Sequence, residues 1–162
     1  MSNDFRASKE HHADIRAAVD FLVNEGACEV FLIGTSRGTL SVAYLATVMT
    51  HPNVKGYVLT ASLAKKPPVV RSYAPRITDP VLMAHHTDDA CWATRYADAQ
   101  ATFRAITKSP RKHFITVSGG DMPLSHPCRA KSAHGFLGAE RETVAAIVDW
   151  MNGKTPPANV SP

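Results

Sequence analysis

The stretch Glu29-Val30-Phe31-Leu32-Ile33-Gly34-Thr35-Ser36-Arg37-Gly38, residues 29–38, decides the fold. After Glu29 its first half is a short, continuous apolar run, which is typical of a strand buried on both faces of a parallel sheet. The run ends at the turn Gly34–Gly38, and a segment rich in Ala, Leu and Val follows from Thr39. That segment has the composition of a helix. The stretch therefore predicts a strand, a sharp turn and a helix in succession.

The same alternation continues along the chain. We predict strands over residues 29–33, 55–60, 80–84 and 112–117, and helices over residues 8–25, 39–49, 94–106 and 140–151. The last helix is predicted from an apolar stripe at helical spacing, formed by Val144, Ile147, Val148 and Met151. Alternating strands and helices favour an α/β fold of three layers, αβα, with a mostly parallel sheet of about four strands.

The length of 162 residues suits one domain, which we assign to residues 1–152. Residues 61–76 are expected to be irregular, because Pro67, Pro68 and Pro75 interrupt any regular element. The tail over residues 153–162 contains three prolines, and we expect it to be disordered.

The net charge of +4 does not by itself indicate nucleic-acid binding, because the basic residues are spread along the chain and no nucleic-acid motif accompanies them. No apolar run approaches the roughly 18 residues of a membrane span. Residues 1–10 are polar and do not resemble a signal peptide. As the chain stands we expect a cytoplasmic protein, and a periplasmic or secreted one if an upstream segment carries an export signal.

Ser36 lies at the centre of Gly-Thr-Ser-Arg-Gly, between the first predicted strand and the helix that follows it. A serine hydroxyl is a weak nucleophile, so it needs a base and an exposed position, which a sharp strand-to-helix turn with flanking glycines provides. The helix N-terminus favours negative charge, and the backbone N–H of Arg37 is the expected oxyanion donor. The alternative is a turn in which Ser36 only caps the helix.

Candidate partners for Ser36 follow later in the chain. Asp88 and Asp89 come after the strand over residues 80–84, and His134 comes after the strand over residues 112–117. Both positions lie past the carboxyl ends of strands, where open α/β sheets place their sites. His134 would act as the base, and a carboxylate would hold its tautomer.

Four motifs together resemble the α/β-hydrolases of the esterase and dienelactone-hydrolase type. They are Gly-Thr-Ser-Arg-Gly, His-His-Thr-Asp-Asp-Ala-Cys, His-Pro-Cys and His-Gly-Phe, and the resemblance runs from about residue 10 to residue 151. It implies a serine hydrolase of small carboxylic esters that needs no cofactor. It also implies that Ser36 is the nucleophile, His134 the base and Asp89 the acid, with Asp88 as the runner-up acid.

The chain has three cysteines, an odd number that argues against a full disulfide framework. Cys28 precedes a strand and is expected to be buried. Cys91 and Cys128 belong to two loops that must both approach the site, so we hypothesise a disulfide between them. Two free thiols in a reducing cytosol are the alternative.

A metal site at the end of the third predicted strand is an alternative. His85, His86 and Asp88 are close in sequence there. Adjacent residues of a strand point to opposite faces, however, which makes a shared metal awkward. We therefore expect neither a metal nor a cofactor.

The resemblance matches only the C-terminal half of the usual fold. The missing part includes the loop that normally supplies the second oxyanion N–H, so we expect weakened activity. The strand over residues 29–33 would expose an unpaired apolar edge, which favours either a homodimer through that edge or a missing upstream segment. The competing function is a weak or inactive remnant that serves as a binding or dimerising module.

Overall fold

A parallel sheet of five strands, in the order β1-β2-β3-β4-β5, forms the centre of the computed structural model, which describes residues 1–65 and 69–162. The strands are β1 (Val30–Thr35), β2 (Val54–Thr60), β3 (Val81–His86), β4 (Lys112–Val117) and β5 (Asn159–Val160). Every neighbouring pair is parallel, and Val58 of β2 lies opposite Ile33 of β1 and Leu82 of β3.

Helices connect the strands. They are α1 (Asn3–Arg6), α2 (Lys9–Asn24), α3 (Gly38–Leu45), α4 (Tyr96–Ala105) and α5 (Glu140–Met151), with short 3₁₀ turns at Val70–Ser72, Ala74–Arg76 and Ala133–Gly135. The helix expected to begin at Thr94 begins at Tyr96 instead, so Thr94 belongs to the preceding loop.

Alternate residues of the central strands face two separate apolar clusters. Leu59 and Met83 pack on one face of the sheet with residues of α3 and α4. Val58 and Leu82 pack on the other face with residues of α5 and with β5. Both faces of the sheet are therefore covered, and the predicted three-layer α/β class with a parallel sheet is confirmed.

The tail differs from the expectation of disorder. Within residues 153–162, β5 pairs with β4, Thr116 donates its N–H to the Ala158 carbonyl at 2.8 Å, and Val160 packs into the second apolar cluster. The prediction was wrong because prolines are tolerated beside a short edge strand, where few N–H donors are needed. The sheet consequently has one strand more than we expected.

Two further expectations concern loops. Residues 61–65 and 69–76 contain only turns and short 3₁₀ pieces, as the prolines suggest, whereas Lys66, Pro67 and Pro68 lie outside the described residues. Cys28, expected to be buried, is exposed and carries a free thiol.

The edge of β1 is the least covered part of the sheet. Among the described residues β1 pairs with β2 alone, and the Ile33 side chain is 51% exposed. Val144 and Val148 of α5, assigned to a buried stripe by their spacing, are exposed. Ile147 of the same stripe is buried, and α5 also buries Ala146, Trp150 and Thr143. The exposed valines and Ile33 line one apolar groove of about 340 Å³.

Across residues 1–65 and 69–162, no helix has both the length and the apolar character that crossing a bilayer requires.

Candidate active site

Ser36 occupies a strained turn at the carboxyl end of β1. Its φ of +54° lies in the left-handed region, which is uncommon for a residue with a side chain and is often retained at functional positions. Its N–H donates to the Thr60 carbonyl of β2 at 2.9 Å, and its own carbonyl accepts from the Thr39 N–H at 3.0 Å. These bonds fix the backbone of Ser36 between β2 and α3.

The turn requires glycine on one side of Ser36. A Cβ at Gly34 would lie 2.5 Å from the Gly38 carbonyl oxygen, so any side chain there would collide with the start of α3. A Cβ at Gly38 would meet nothing within 4 Å. Crowding therefore explains Gly34 but not Gly38, although the sequence suggested both.

Arg37 follows the serine and precedes α3. Among the described residues its backbone N–H has no hydrogen-bond partner, which leaves it available at the positive end of the helix. Its guanidinium donates to Asn3 Oδ1 at 3.0 Å and so joins α1 to the turn.

The Asp89 carboxylate is buried and surrounded by donors. Oδ1 accepts the Cys91 N–H at 2.9 Å. Oδ2 accepts the Thr94 hydroxyl at 2.9 Å and the His134 Nδ1–H at 3.0 Å. Asp88, in contrast, is exposed, and its backbone N–H donates to His86 Nδ1. The structure thus brings Asp89, and not the runner-up Asp88, against His134.

His134 is held by a short 3₁₀ turn that its own loop stabilises. The Ser132 hydroxyl accepts the His134 N–H at 3.3 Å. A Cβ at Gly135 would overlap the Ala130 carbonyl, which explains why glycine follows the histidine. Because Nδ1–H donates to Asp89, Nε2 is left as the acceptor of the neutral ring.

A disulfide joins Cys91 and Cys128, which are 37 residues apart. Cys91 lies beside Asp89 in the loop after β3, and Cys128 lies in the loop that carries His134. The bond therefore ties together the two loops that carry Asp89 and His134. Bridges of this kind typically stabilise a fold by about 2–4 kcal/mol.

A cleft of about 320 Å³ opens beside the serine. It is lined by residues of the turn, of the disulfide and of the neighbouring loops, namely Asn3, Ser36, Arg37, Leu63, Lys65, Cys91, Trp92, Ala93 and Cys128. Its volume is at the lower end of the range typical of small-molecule sites. The Ser36 hydroxyl has no hydrogen-bond partner in the described part of the chain, so His134 does not yet engage it.

Solved structures share this arrangement of strands and helices. An esterase from Pyrococcus furiosus is 13% identical with a TM-score of 0.64, and the match covers 88% of this chain and 61% of that one. Est1E from Butyrivibrio proteoclasticus is 15% identical with a TM-score of 0.62, covering 88% and 68%. A predicted CIB-like hydrolase from Thermoplasma acidophilum is 18% identical with a TM-score of 0.56, covering 90% and 59%.

The chain has an α/β-hydrolase fold. It spans between 46% and 68% of the length of the solved structures that it matches, so it corresponds to a part of that fold. No protein-family model and no curated protein matches the sequence.

Two adjacent histidines of this α/β-hydrolase fold form hydrogen bonds to the backbone of the loops around the site. His85 Nδ1 accepts the Ser62 N–H at 3.3 Å, and His85 Nε2 donates to the Thr94 carbonyl at 2.6 Å. His86 Nδ1 accepts the Asp88 N–H, and His86 Nε2 donates to the Gly119 carbonyl at 2.9 Å. All four ring nitrogens are engaged by backbone groups, so the two histidines do not present lone pairs to a shared metal.

A different set of potential metal ligands lies where Asp89 contacts His134. Asp89, Cys91 and His134 each place one ligand atom within 4.8 Å of the others. The Cys91 sulfur is bonded to Cys128, however, and the carboxylate and the imidazole are bonded to each other. This donor set is occupied by the hydrogen bonds and the disulfide of the site.

Thr94 is the site residue that the sequence did not reveal. It is fully buried, and its hydroxyl contacts both Asp89 and His134. Its only signal in the sequence is its position just before a helix, which many threonines share. The structure was needed to find it.

We expect only one cysteine to react with an alkylating reagent in the unfolded, unreduced protein, namely Cys28, and all three to react after reduction. Reduction should lower the free energy of unfolding by about 2–4 kcal/mol. Mass spectrometry and thermal melts measure the two effects. Cys28→Ser should keep the response of the melting temperature to reductant, and Cys128→Ser should lose it. Three reactive thiols before reduction would contradict the disulfide.

We also expect stability to fall below about pH 6.5, the ordinary pKa of histidine. Burial lowers the pKa of His85, and the nearby His134 and His86 act in the same direction against the opposing Asp89 carboxylate. The unfolded chain therefore binds a proton that folded His85 does not, and the stability present above this pH is lost as the pH falls.

Urea titrations at several pH values measure this loss. His85→Gln, which removes the titrating ring, should weaken the dependence on pH, whereas the same change at exposed His126 should leave it intact. Equal slopes in the wild type and in His85→Gln would contradict the assignment.

Proposed function

We propose that this chain is a serine hydrolase of small carboxylic esters, with Ser36 as nucleophile, His134 as base and Asp89 as acid. The observation that carries the proposal is the buried hydrogen bond of 3.0 Å between His134 Nδ1 and Asp89 Oδ2, formed by loops at the same carboxyl-terminal edge of the parallel sheet as Ser36 in its strained turn. A buried carboxylate that fixes the tautomer of a histidine is the arrangement that activates a serine.

In this reaction the Ser36 hydroxyl oxygen attacks the ester carbonyl carbon while its proton passes to His134 Nε2. The resulting imidazolium is stabilised by the Asp89 carboxylate through Nδ1–H. The ester C–O bond then breaks, the departing alcohol oxygen takes the proton from Nε2, and the acyl group stays on Ser36. A water molecule, deprotonated by His134 Nε2, attacks the acyl carbon; the bond to Ser36 Oγ breaks, and Oγ takes the proton back from Nε2. The chemistry is complete without a cofactor.

The oxyanion that forms during attack lies near the start of α3 in this proposal. The unpartnered Arg37 N–H is its donor. A single donor stabilises the oxyanion less than two, and removing one donor typically costs about 10²–10³ in rate.

The substrate class follows from the cleft beside Ser36. Its volume of about 320 Å³ suits a small ester, and Leu63, Trp92 and Ala93 give it an apolar lining. Arg37 and Lys65 contribute positive charge at the cleft, and the Lys65 ammonium already pairs with Asp98 at 3.7 Å. We propose a small neutral ester as the substrate, with no nucleic acid and no membrane as partners.

The disulfide bears on where the enzyme acts. Disulfides persist in oxidising compartments, and cytosolic reductants keep thiols reduced. The bond between Cys91 and Cys128 supports periplasmic or extracellular action over the cytoplasmic alternative. Counting free thiols in protein isolated from the source cells tests this, because three free thiols would favour the cytoplasm.

The second candidate function, a dimerising module with little activity, is supported by the edge of β1. That edge is unpaired among the described residues, and Ile33, Val144 and Val148 expose apolar side chains beside it. A second copy would bring the same edge and the same apolar flank, so a two-fold contact would cover both at once.

A fluorophosphonate probe separates the two candidates, because it labels only an activated serine. We expect labelling of the wild type and none of Ser36→Ala. Hydrolysis of p-nitrophenyl acetate should fall in parallel, since loss of the nucleophile of a working triad costs about 10⁶ in kcat. Ser72→Ala, which removes an exposed serine, should behave as the wild type. A folded wild type that resists the probe would contradict the enzyme.

Light scattering after size-exclusion chromatography tests the dimer. We expect a dimer for the wild type and a monomer for Ile33→Lys, because a lysine at a strand edge disfavours edge pairing. Val48→Lys is the matched control, since Val48 is 39% exposed and lies after α3, away from the edge. A wild type that stays monomeric at every concentration would contradict this proposal.

A further inference from the structure

A buried hydroxyl bridges the acid and the base. Thr94 is 0% exposed, its Oγ1 donates to Asp89 Oδ2 at 2.9 Å, and the same oxygen lies 3.1 Å from His134 Nδ1. Because its one proton goes to the carboxylate, the Thr94 oxygen is an acceptor toward His134. The Nδ1–H of His134 therefore faces two acceptors, the carboxylate and the hydroxyl.

Thr94 is itself held in place by His85. The His85 ring is fully buried, and Nε2 donates to the Thr94 carbonyl at 2.6 Å while Nδ1 accepts the Ser62 N–H. Because Nδ1 is an acceptor, the proton of the neutral ring is on Nε2. His85 thus links the backbone of Thr94 to the loop after β2, at the carboxyl ends of the central strands.

We propose that Thr94 is a positioning residue that fixes the orientation of both Asp89 and His134, with His85 as its anchor. This inference rests on the proposed serine hydrolase. It assigns to Thr94 a role that differs from those of the three reacting groups.

Thr94 acts, in this proposal, by restricting the rotation of the Asp89 and His134 side chains. A carboxylate can turn about its Cβ–Cγ bond, and an imidazole can flip about its Cβ–Cγ bond. The Thr94 hydroxyl contacts one group as donor and the other as acceptor, so a rotation of either group breaks a buried hydrogen bond. Leaving a buried polar group without its partner is costly, and the network therefore resists both rotations.

Loss of this restraint should slow the reaction, because Asp89 and His134 would no longer be held in the required orientation. A misplacement of about 1 Å can cost about 10² in rate. The effect should appear in kcat more than in KM, because Thr94 is absent from the lining of the cleft.

The matched pair Thr94→Ser and Thr94→Ala tests the proposal. Both variants lose the same methyl group, and they differ only in the hydroxyl. We expect Thr94→Ser to retain most of the wild-type kcat on p-nitrophenyl acetate, and Thr94→Ala to lose up to about 10²-fold with little change in KM. Equal kcat in the two variants would overturn the proposal.

A second readout does not depend on activity. The His134 Nδ1–H should give a downfield imidazole proton resonance, assigned by its absence in His134→Gln. We expect this resonance to persist in Thr94→Ser and to shift or broaden in Thr94→Ala. An unmoved resonance in Thr94→Ala, or its absence in the folded wild type, would overturn the proposal.

The two readouts separate this inference from the proposed function. If the wild type hydrolyses no ester and resists the fluorophosphonate probe, the serine-hydrolase proposal fails, and the resonance still reports whether Thr94 orients His134. If the alanine variant does not fold, Thr94→Val, which keeps the shape of threonine without the hydroxyl, replaces it and is compared with the wild type.

Discussion

A carboxylate fully withdrawn from water must be compensated by hydrogen-bond donors, and in this molecule Asp89 is that carboxylate. Three donors surround it, from a backbone amide, a hydroxyl and an imidazole. Leaving a buried acceptor without its donor typically costs about 1–3 kcal/mol, and more when the acceptor is charged, so the loops that carry these donors cannot separate freely. The disulfide, the glycine after His134 and the His85 anchor all maintain this contact between loops of different strands.

The Ser36 backbone is held by hydrogen bonds to β2 and α3, whereas Asp89 and His134 are bonded to each other across the loops after β3 and β4. In the described part of the chain the Ser36 hydroxyl makes no hydrogen bond with His134. Catalytic hydrogen bonds are often long in unliganded sites and tighten when substrate binds. The proposed reaction would therefore require the Ser36 hydroxyl and His134 Nε2 to approach each other when substrate binds.

The sequence predicted best those features of the fold and the site that are encoded by residues close together in the chain. The strand, turn and helix around Ser36 are encoded within a few residues, and the preference for Asp89 over Asp88 came from the resemblance to the esterase and dienelactone-hydrolase type. Thr94 had no such signal, because its role comes from contacts to a residue 40 positions away. The spacing of Val144 and Val148 predicted burial, but both side chains are exposed and no described element covers them. The strand β5 was missed because two residues are too few for a periodic pattern.

The edge of β1 connects the two proposed functions. Among the described residues, the strand that leads to Ser36 is paired on one side only, and the Ser36 backbone is bonded to β2 and α3. A parallel strand buried on only part of its surface opens more readily than one paired on both sides. Pairing of this edge with a second copy would cover Ile33 and at the same time stiffen the strand that presents the nucleophile. If the proposed homodimer forms, assembly and the proposed activity would both depend on β1, because the strand that leads to Ser36 is paired on one side only among the described residues.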